Sequence, residues 1–527
     1  MSPGKYMAIW LIAGSFLCIS CNQETETRSP NILICIADDA SFPHMSAYGC
    51  EWIHTPSFDR VAQQGILFTN AFTPNSKCSP SRACILTGRN TWQLEEACNH
   101  VPYFPEKFKV YTEVLAEHGY FTGMTGKGWA PGNPGIVNGQ PRQLAGTPFQ
   151  EKKLQPPTPG ISVVDYSGNF ADFLASVPEG KAWCFWYGGR EPHRPYEYGS
   201  GVALGGRNTG EVDMVPDFWP DTEITRNDML DYAYEIEYFD RHLGEILDQL
   251  EQKGMLDNTL VVVTSDNGMP FPRNKGQAYD FSNRLPLAIM WKDGISFPGR
   301  VVHDFVSFID FAPTFIELAG LEWDQTGMAP TPGKSLTGIF KAGNDPGPPF
   351  RDHVIFGKER HDVGRPNDQG YPIRGMIRED YLYLHNFEPS RWPAGNPETG
   401  YLNCAGSPTK TLILEMRRQG KELEYWNMNF GKRPREELYN IAEDPMCLRN
   451  LAGKEEFSTR MAEMKEMLFR ELREEGDPRM FGRGDLFDSY EYADKSTRDF
   501  YNRFMEGEPV HASWVNETDF ETGPVHE

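Results

Sequence analysis

Two short runs constrain the fold of this chain more than any other feature. Asn31-Ile32-Leu33-Ile34-Cys35-Ile36-Ala37 and Thr259-Leu260-Val261-Val262-Val263-Thr264 are continuous, apolar and rich in β-branched residues. A strand without alternation of apolar and polar residues has no wet face, so both runs predict strands buried on both sides of a parallel sheet covered by helices. Between them, Trp183-Cys184-Phe185-Trp186-Tyr187 predicts another strand. Met229, Ala233, Ile236, Phe239, Leu243, Ile246 and Leu250 recur at helical spacing, which predicts a helix over 225–250 closed by Gly254. Strands alternating with helices indicate an α/β domain, in which ligands gather beyond the carboxyl ends of the strands. The two buried runs end in Asp38-Asp39 and in Ser265-Asp266-Asn267. Either acidic pair alone reads as a turn; together they offer hard oxygen donors for one divalent cation, calcium or magnesium rather than zinc.

A second constraint is Cys78-Ser79-Pro80-Ser81-Arg82-Ala83-Cys84-Ile85-Leu86-Thr87-Gly88-Arg89. Proline at a first-turn position, an apolar turn and a closing glycine predict a short helix that sets the Cys78 sulfur at a positive helix start. Such a cysteine is a candidate nucleophile, the alternative being a buried structural thiol. The run resembles the signature of the type I sulfatases, Cys-x-Pro-Ser-Arg followed by x-x-x-Leu-x-Gly-Arg, at every defining position.

The resemblance implies an alkaline-phosphatase-like sulfatase fold: a large, mostly parallel sheet flanked by helices, with a smaller C-terminal domain of antiparallel sheet and helix. It implies that a maturation enzyme oxidises Cys78 to formylglycine, whose hydrate offers two hydroxyls on one carbon. One takes the sulfate covalently and the other then expels it, splitting a hard step into two easier ones. The metal ligands implied are Asp38, Asp39, Asp266, Asn267 and modified Cys78, the ion calcium or else magnesium. Arg82 is the counterpart of the arginine beside the diol, Lys127 and Lys275 of the two basic sulfate contacts, and His193 of the histidine that protonates the leaving atom. One departure stands out, since Trp129 occupies the position where many sulfatases carry a histidine.

Asp266-Asn267-Gly268-Met269-Pro270-Phe271-Pro272 and Glu191-Pro192-His193-Arg194 are similar to stretches of heparan N-sulfatases. The resemblance implies a sulfated glycan as substrate, N-sulfoglucosamine first and O-sulfated sugars next. Arg190, Arg194, Glu359, Arg360, His361 and Arg374 are candidate substrate contacts, since an anionic sugar needs cations and hydroxyl-reading carboxylates. Two other readings compete: a phosphonate or phosphodiester hydrolase of the alkaline phosphatase superfamily, and a non-catalytic glycan-binding lipoprotein.

At 527 residues the chain exceeds one ordinary core, and its formal charge of -23 excludes nucleic acid or an acidic membrane surface as the main partner. Lys5, the apolar run Met7 to Leu17 and Cys18-Ile19-Ser20-Cys21 form an export signal over 1–21, too short to span a bilayer once mature. It resembles a bacterial lipoprotein signal with Cys21 lipidated, which implies a periplasmic or outer-membrane protein touching membrane only through that anchor. A tether over 22–30 leads into a catalytic domain over 31–345. A Pro/Gly boundary at 345–349 precedes a C-terminal subdomain over 346–480, in which Val354 to Phe356 and Tyr381 to Leu384 predict an antiparallel sheet and 457–474 a helix. Glu437-Leu438-Tyr439-Asn440-Ile441-Ala442-Glu443-Asp444-Pro445 is similar to the C-terminal segment of sulfatases. The polar stretch 481–527 carries no expected fold. Of ten cysteines, seven remain once Cys18, Cys21 and Cys78 are set aside, so at least one is expected to be free.

Overall fold

The computed structural model describes residues 1, 2, 4, 29–343, 349–523 and 525. The export signal with Cys18 and Cys21, and most of the 345–349 boundary, lie outside the described residues.

A mixed eight-stranded sheet forms the centre. In chain order its strands are β1 (Asn31–Ala37), β2 (Ile66–Phe68), β3 (Phe121–Gly126), β4 (Thr147–Pro148), β5 (Trp183–Gly188), β6 (Thr259–Ser265), β7 (Leu287–Met290) and β8 (Arg300–Val302). In space they run β8-β2-β7-β6-β1-β5-β3-β4. Only β7 opposes its neighbours; the other pairs are parallel.

Every residue of β1 and β6 is buried, and the reason is two-sided packing. Leu33, Cys35 and Ala37 join one apolar cluster with the inner face of a long helix, and Ile32, Ile34 and Ile36 join another with Ala83, Ile85 and Leu86. The Cys78 segment is helix α1 (Cys78–Thr87), ended by Gly88 at φ 69, and the long helix is α2 (Glu223–Gln252). The left-handed conformation at Gly88 is the usual glycine stop after a helix.

Beyond the central domain, strands β9 (His353–Lys358), β10 (Ile373–Arg378), β11 (Tyr381–Asn386) and β12 (Glu436–Asn440) form an antiparallel sheet in that order. Helix α3 (Ser458–Glu474) covers it through Met464, Leu468 and Leu472 against Ile355, Met376, Tyr383 and Leu438. The polar stretch after 481 departs from expectation. Its sparse apolar residues Tyr492, Phe500, Val510 and Ala512 pack on Val363 and Leu402, a surface supplied from far upstream in the chain. All eight described cysteines are buried and unpaired.

Candidate active site

Strand register builds the site. Ala37 lies opposite Ser265, Ile36 opposite Gly188, and Gly126 opposite Gly188. Four adjacent parallel strands, β6, β1, β5 and β3, therefore end at one edge. The residues that follow them are Asp266-Asn267, Asp38-Asp39, the loop carrying His193, and Lys127. Close approach of β3 to β5 demands glycine at both ends: a Cβ on Gly126 would strike the Gly188 carbonyl, and one on Gly188 the carbonyl of Lys127. Asp39 sits at φ 82, costly for a side-chain-bearing residue. Its amide donates to Asp266 Oδ1 at 3.2 Å, and the next amide, Ala40, donates to Ser265 Oγ at 2.7 Å.

Helix α1 points its first turn at this edge. Cys78 Sγ lies 3.4 Å from Asp38 Oδ1 and 3.9 Å from Asp39 Oδ1. Arg82, one turn later and fully buried, donates from Nε to Asp266 Oδ2 at 2.7 Å and from Nη1 to the carbonyls of Lys127 and Gly128 at 2.7 and 2.9 Å. One guanidinium thus ties the helix to the ends of β6 and β3. Trp129 braces the same turn: its indole donates to the Ser79 carbonyl at 3.0 Å and its ring meets Phe104 edge-on. At this position the chain has a packed support rather than a histidine.

Charge is balanced within the cluster. Lys127 Nζ lies 2.5 Å from Asp38 Oδ2, Lys275 Nζ 2.6 Å from Asp39 Oδ2, and His193 Nε2 4.0 Å from Asp39 Oδ2. With Arg82 on Asp266, the three buried carboxylates Asp38, Asp39 and Asp266 face the three cations Lys127, Lys275 and Arg82, which is how such a group can be buried at all. Burial works against ionisation of Asp38, but Lys127, His193, Arg82 and Lys275 outweigh it and hold that carboxyl well below its ordinary range. For Asp266, burial and then Asp38 prevail over Arg82 and push it up to about 7. The Cys78 thiol is pushed up to about 12 by burial and then by Asp38. The helix start therefore does not make a thiolate here, and unmodified Cys78 is a poor nucleophile at neutral pH.

The donor set fits a hard divalent cation. Oxygen or sulfur atoms of Asp38, Asp39, Asp266 and Cys78 all lie within 4.8 Å of one another. Asn267 Nδ2 donates to Asp39 Oδ1 at 2.7 Å, which leaves its buried Oδ1 without a partner beside the carboxylates. Crowded carboxylates and an orphaned amide oxygen are what an oxygen-coordinated ion would satisfy.

A family model described as Sulfatase matches residues 30–321, more than half of the chain and all of these residues. The chain belongs to the sulfatase family. It is accordingly a hydrolase of sulfate esters or sulfamates, and the family implies a formylglycine at Cys78 and a metal ion beside it. Human N-sulphoglucosamine sulphohydrolase is 26% identical over 477 residues, covering 86% of this chain and 91% of that protein. The structure of BT4656 in complex with its substrate D-glucosamine-2-N,6-O-disulfate superposes with a TM-score of 0.60 at 19% identity, over 85% of this chain and 98% of that one. The phosphonate monoester hydrolase of Agrobacterium radiobacter shares the fold at a TM-score of 0.57 and 19% identity, over 85% and 96%. Fold alone therefore does not separate sulfatase from phosphonate chemistry; N-sulphoglucosamine sulphohydrolase, similar over most of both chains, is on the sulfatase side.

The sulfatase cluster lies at one end of a cavity of about 650 Å³ that Asp38, Lys127, His193 and Lys275 help to line. Of the expected substrate contacts, only Arg190 and Arg194 reach its wall. Arg194 is already committed, with both terminal nitrogens on Asp228 at 2.8 and 2.9 Å, Nε on the Pro270 carbonyl at 2.8 Å, and its plane between Tyr196 and Phe271. Glu359, Arg360, His361 and Arg374 do not line the cavity. Arg374 bonds Glu359 at 2.7 Å and Asp477 at 2.8 Å, and Arg479 closes the network on Glu359. His361 Nε2 meets Asn75 Oδ1 at 2.8 Å, and Arg360 lies over the Tyr492 ring. Glu359, Arg374, Asp477 and Arg479 can be buried because they neutralise one another within the C-terminal subdomain.

Sequence reasoning missed Lys77, His100, Asp362, Tyr492 and Trp514, all of which line the cavity. Lys77 was within sight, one residue before the signature cysteine. Asp362 adjoins the charged run 359–361, so the expectation fell one residue short. Nothing local marks Tyr492 or Trp514.

Proposed function

We propose that the protein removes sulfate from a sulfated carbohydrate, with N-sulfoglucosamine the leading substrate and O-sulfated sugars next. The observation that carries this reading is the balanced cluster of three carboxylates and three cations around buried Cys78, with Asp38, Lys127 and Lys275 of that cluster lining a cavity. A cavity rather than an open groove suits attack at a chain end.

In this proposal Asp38, Asp39, Asp266 and Asn267, with residue 78, hold one calcium ion, or magnesium in its place, and a maturation enzyme has converted Cys78 to formylglycine. The ion and the aldehyde hydrate supply an activated oxygen nucleophile and charge neutralisation. Arg82 fixes the first turn of α1 against Asp266, so residue 78 keeps its direction. Lys127 and Lys275 neutralise the sulfate, and their positions, set by strand ends, need no rearrangement as charge develops. His193 is held neutral without an anion beside it, since burial and then Lys275 lower its pKa to about 4. Its Nδ1 lies 2.6 Å from the Arg194 carbonyl, which fixes the ring with Nε2 toward Asp39. A sulfate beside it adds the negative charge that favours a proton at Nε2, and that proton passes to the departing oxygen or nitrogen. We further infer export to the periplasm or outer membrane with an anchor at Cys21, on the N-terminal sequence alone.

The test is a screen of defined sulfated mono- and oligosaccharides, N-sulfoglucosamine included, with protein matured to formylglycine and sulfate release followed by ion chromatography. Sulfate release from a sulfated sugar is expected. Preference for a phosphodiester over the matching sulfate ester would overturn the reading, and mature protein inert on every sulfated sugar would revive the glycan-binding alternative.

A further inference from the structure

The same cavity carries a second polar group, assembled from three separate segments. Lys77 Nζ donates to Asp362 Oδ2 at 2.8 Å, and His100 Nδ1 lies 3.0 Å from Asp362 Oδ1. The Tyr492 hydroxyl adds a contact to Oδ1 at 3.4 Å. Both carboxylate oxygens are taken, so Asp362 orients its partners rather than meeting a ligand.

That orientation has chemical content. A carboxylate at Nδ1 keeps the ring proton there and leaves Nε2 with its lone pair outward from the pair. Burial, against the pull of Asp362, lowers the His100 pKa to about 4, so the ring is neutral at working pH. Nε2 is buried and has no partner, although His100 is only 9% exposed and lines the cavity. Lys77 spends one ammonium hydrogen on Asp362 and retains others. The trio carries no net charge, because Lys77 and Asp362 cancel. It therefore differs from the cluster at Cys78, where a divalent ion on the carboxylates would leave Lys127, Lys275 and Arg82 as an excess of positive charge that suits an anion. A neutral pairing of one acceptor with one donor matches a hydroxyl, which donates to an imidazole nitrogen and accepts from an ammonium. Lys77 directly precedes Cys78, and Lys77 and His100 line the same cavity as Lys127, His193 and Lys275, so one bound sugar can face both groups.

We propose that Lys77 and His100, oriented by Asp362, read a free ring hydroxyl of the sugar whose sulfate lies at residue 78, and so select against a sulfate or a hydrogen at that position. This rests on the sulfated-sugar reading above. Asp362 is a positioning residue; Lys77 and His100 touch substrate.

The experiment uses matured enzyme and methyl glycosides of N-sulfoglucosamine, each lacking one ring hydroxyl. On the wild type, one deoxy analogue is expected to lose about 10- to 100-fold in kcat/KM. His100→Ala should lose a similar factor on the parent sugar and no longer distinguish it from that analogue. Inhibition by inorganic sulfate, which reads only the anion end, should stay within about two-fold in that variant. Lys77→Met leaves Asp362 without its cation, so the wild-type deoxy series, which needs no variant, stands as the independent measurement. A His100→Ala enzyme weakened equally toward inorganic sulfate and every sugar would show a structural role and overturn the inference. So would a wild type that treats all deoxy analogues alike. A wild type that cleaves no sulfated sugar removes the parent reading, and this inference with it.

Discussion

Lys275 Nζ and Asp39 Oδ2 lie 2.6 Å apart although 236 residues separate them, and both side chains are almost wholly buried. Asp39 outweighs burial and raises the lysine's pKa, so the ammonium is charged at every working pH. Lys275→Met should lower kcat/KM by about 10²- to 10³-fold, the usual cost of losing one preorganised donor to developing charge. Steady-state sulfate release measures this. Loss of one partner of a buried pair also costs about 3–5 kcal/mol when nothing replaces it, so metal-free variant should melt well below metal-free wild type. A variant with wild-type kcat/KM would refute a sulfate-neutralising role for Lys275.

Cys78→Ala should lose turnover by about 10⁴-fold or more, as expected for removal of a nucleophile. The side chain is 1% exposed and its loss removes only one sulfur atom, so unfolding free energy should change by about 2 kcal/mol or less. Sulfate release and a denaturant melt on the same preparation separate the two effects. Near-normal turnover would sink the assignment.

Chelation should lower both activity and melting temperature, because a cation bound by the carboxylates stabilises only the folded state. At one hundred times its dissociation constant the gain is about 2.7 kcal/mol. Calorimetry of EDTA-treated protein titrated with calcium, and separately with magnesium, reads the effect, with recovery expected at lower calcium concentration. An enzyme whose rate and melting curve ignore exhaustive chelation would undo the metal assignment of Asp38, Asp39, Asp266 and Asn267.

Acid should loosen the loop after Asp39 through His44. The Tyr232 hydroxyl lies 3.2 Å from both the Ser41 amide and His44 Nδ1, so it accepts from the first and donates to the second. Burial lowers the His44 pKa to about 3. A base whose pKa is depressed by folding contributes stability that is fully present above its unfolded value, about 6.5, and is lost as pH falls toward the folded one. The loss is about 1.4 kcal/mol per pH unit between pH 6 and 4. His44→Asn keeps an acceptor for the tyrosine but does not titrate, so its stability should fall less steeply with acid by about that slope. Urea melts of both proteins at pH 7, 6, 5 and 4 decide it; parallel curves would exclude His44.

The sheet was legible because burial on both faces writes itself as unbroken β-branched runs, and β1 and β6 are such runs. Asp38, Asp39, Asp266 and Asn267 followed, since strand ends in a parallel sheet converge, whereas Cys78, Arg82, Lys127, His193 and Lys275 were marked by the sulfatase resemblance, and all nine lie together. Charged residues beyond 345 were read less well. Arg374 looks the same in sequence whether it meets a sugar or Asp477, and its partner lies 103 positions away. Tyr492 and Trp514 sit among polar neighbours, where no periodicity marks them as inward-facing. Lys77, His100 and Asp362 share no motif, and only folding brings them to one carboxylate.

Residues needed for the chemistry are all present once the chain has been made through Lys275, yet the cavity takes its remaining wall from Asp362, Ala405, Tyr492, Asp494 and Trp514. Order of synthesis therefore matters. For almost half of its translation the chain holds the cluster's residues without the rest of that wall, and a protease that clips the stretch after 481 would remove part of it again. Such a product would keep its anion site and the Lys77–His100–Asp362 trio while losing the wall that Tyr492, Asp494 and Trp514 supply, so the full shape of the cavity is the last property this sulfatase acquires and the first it can lose.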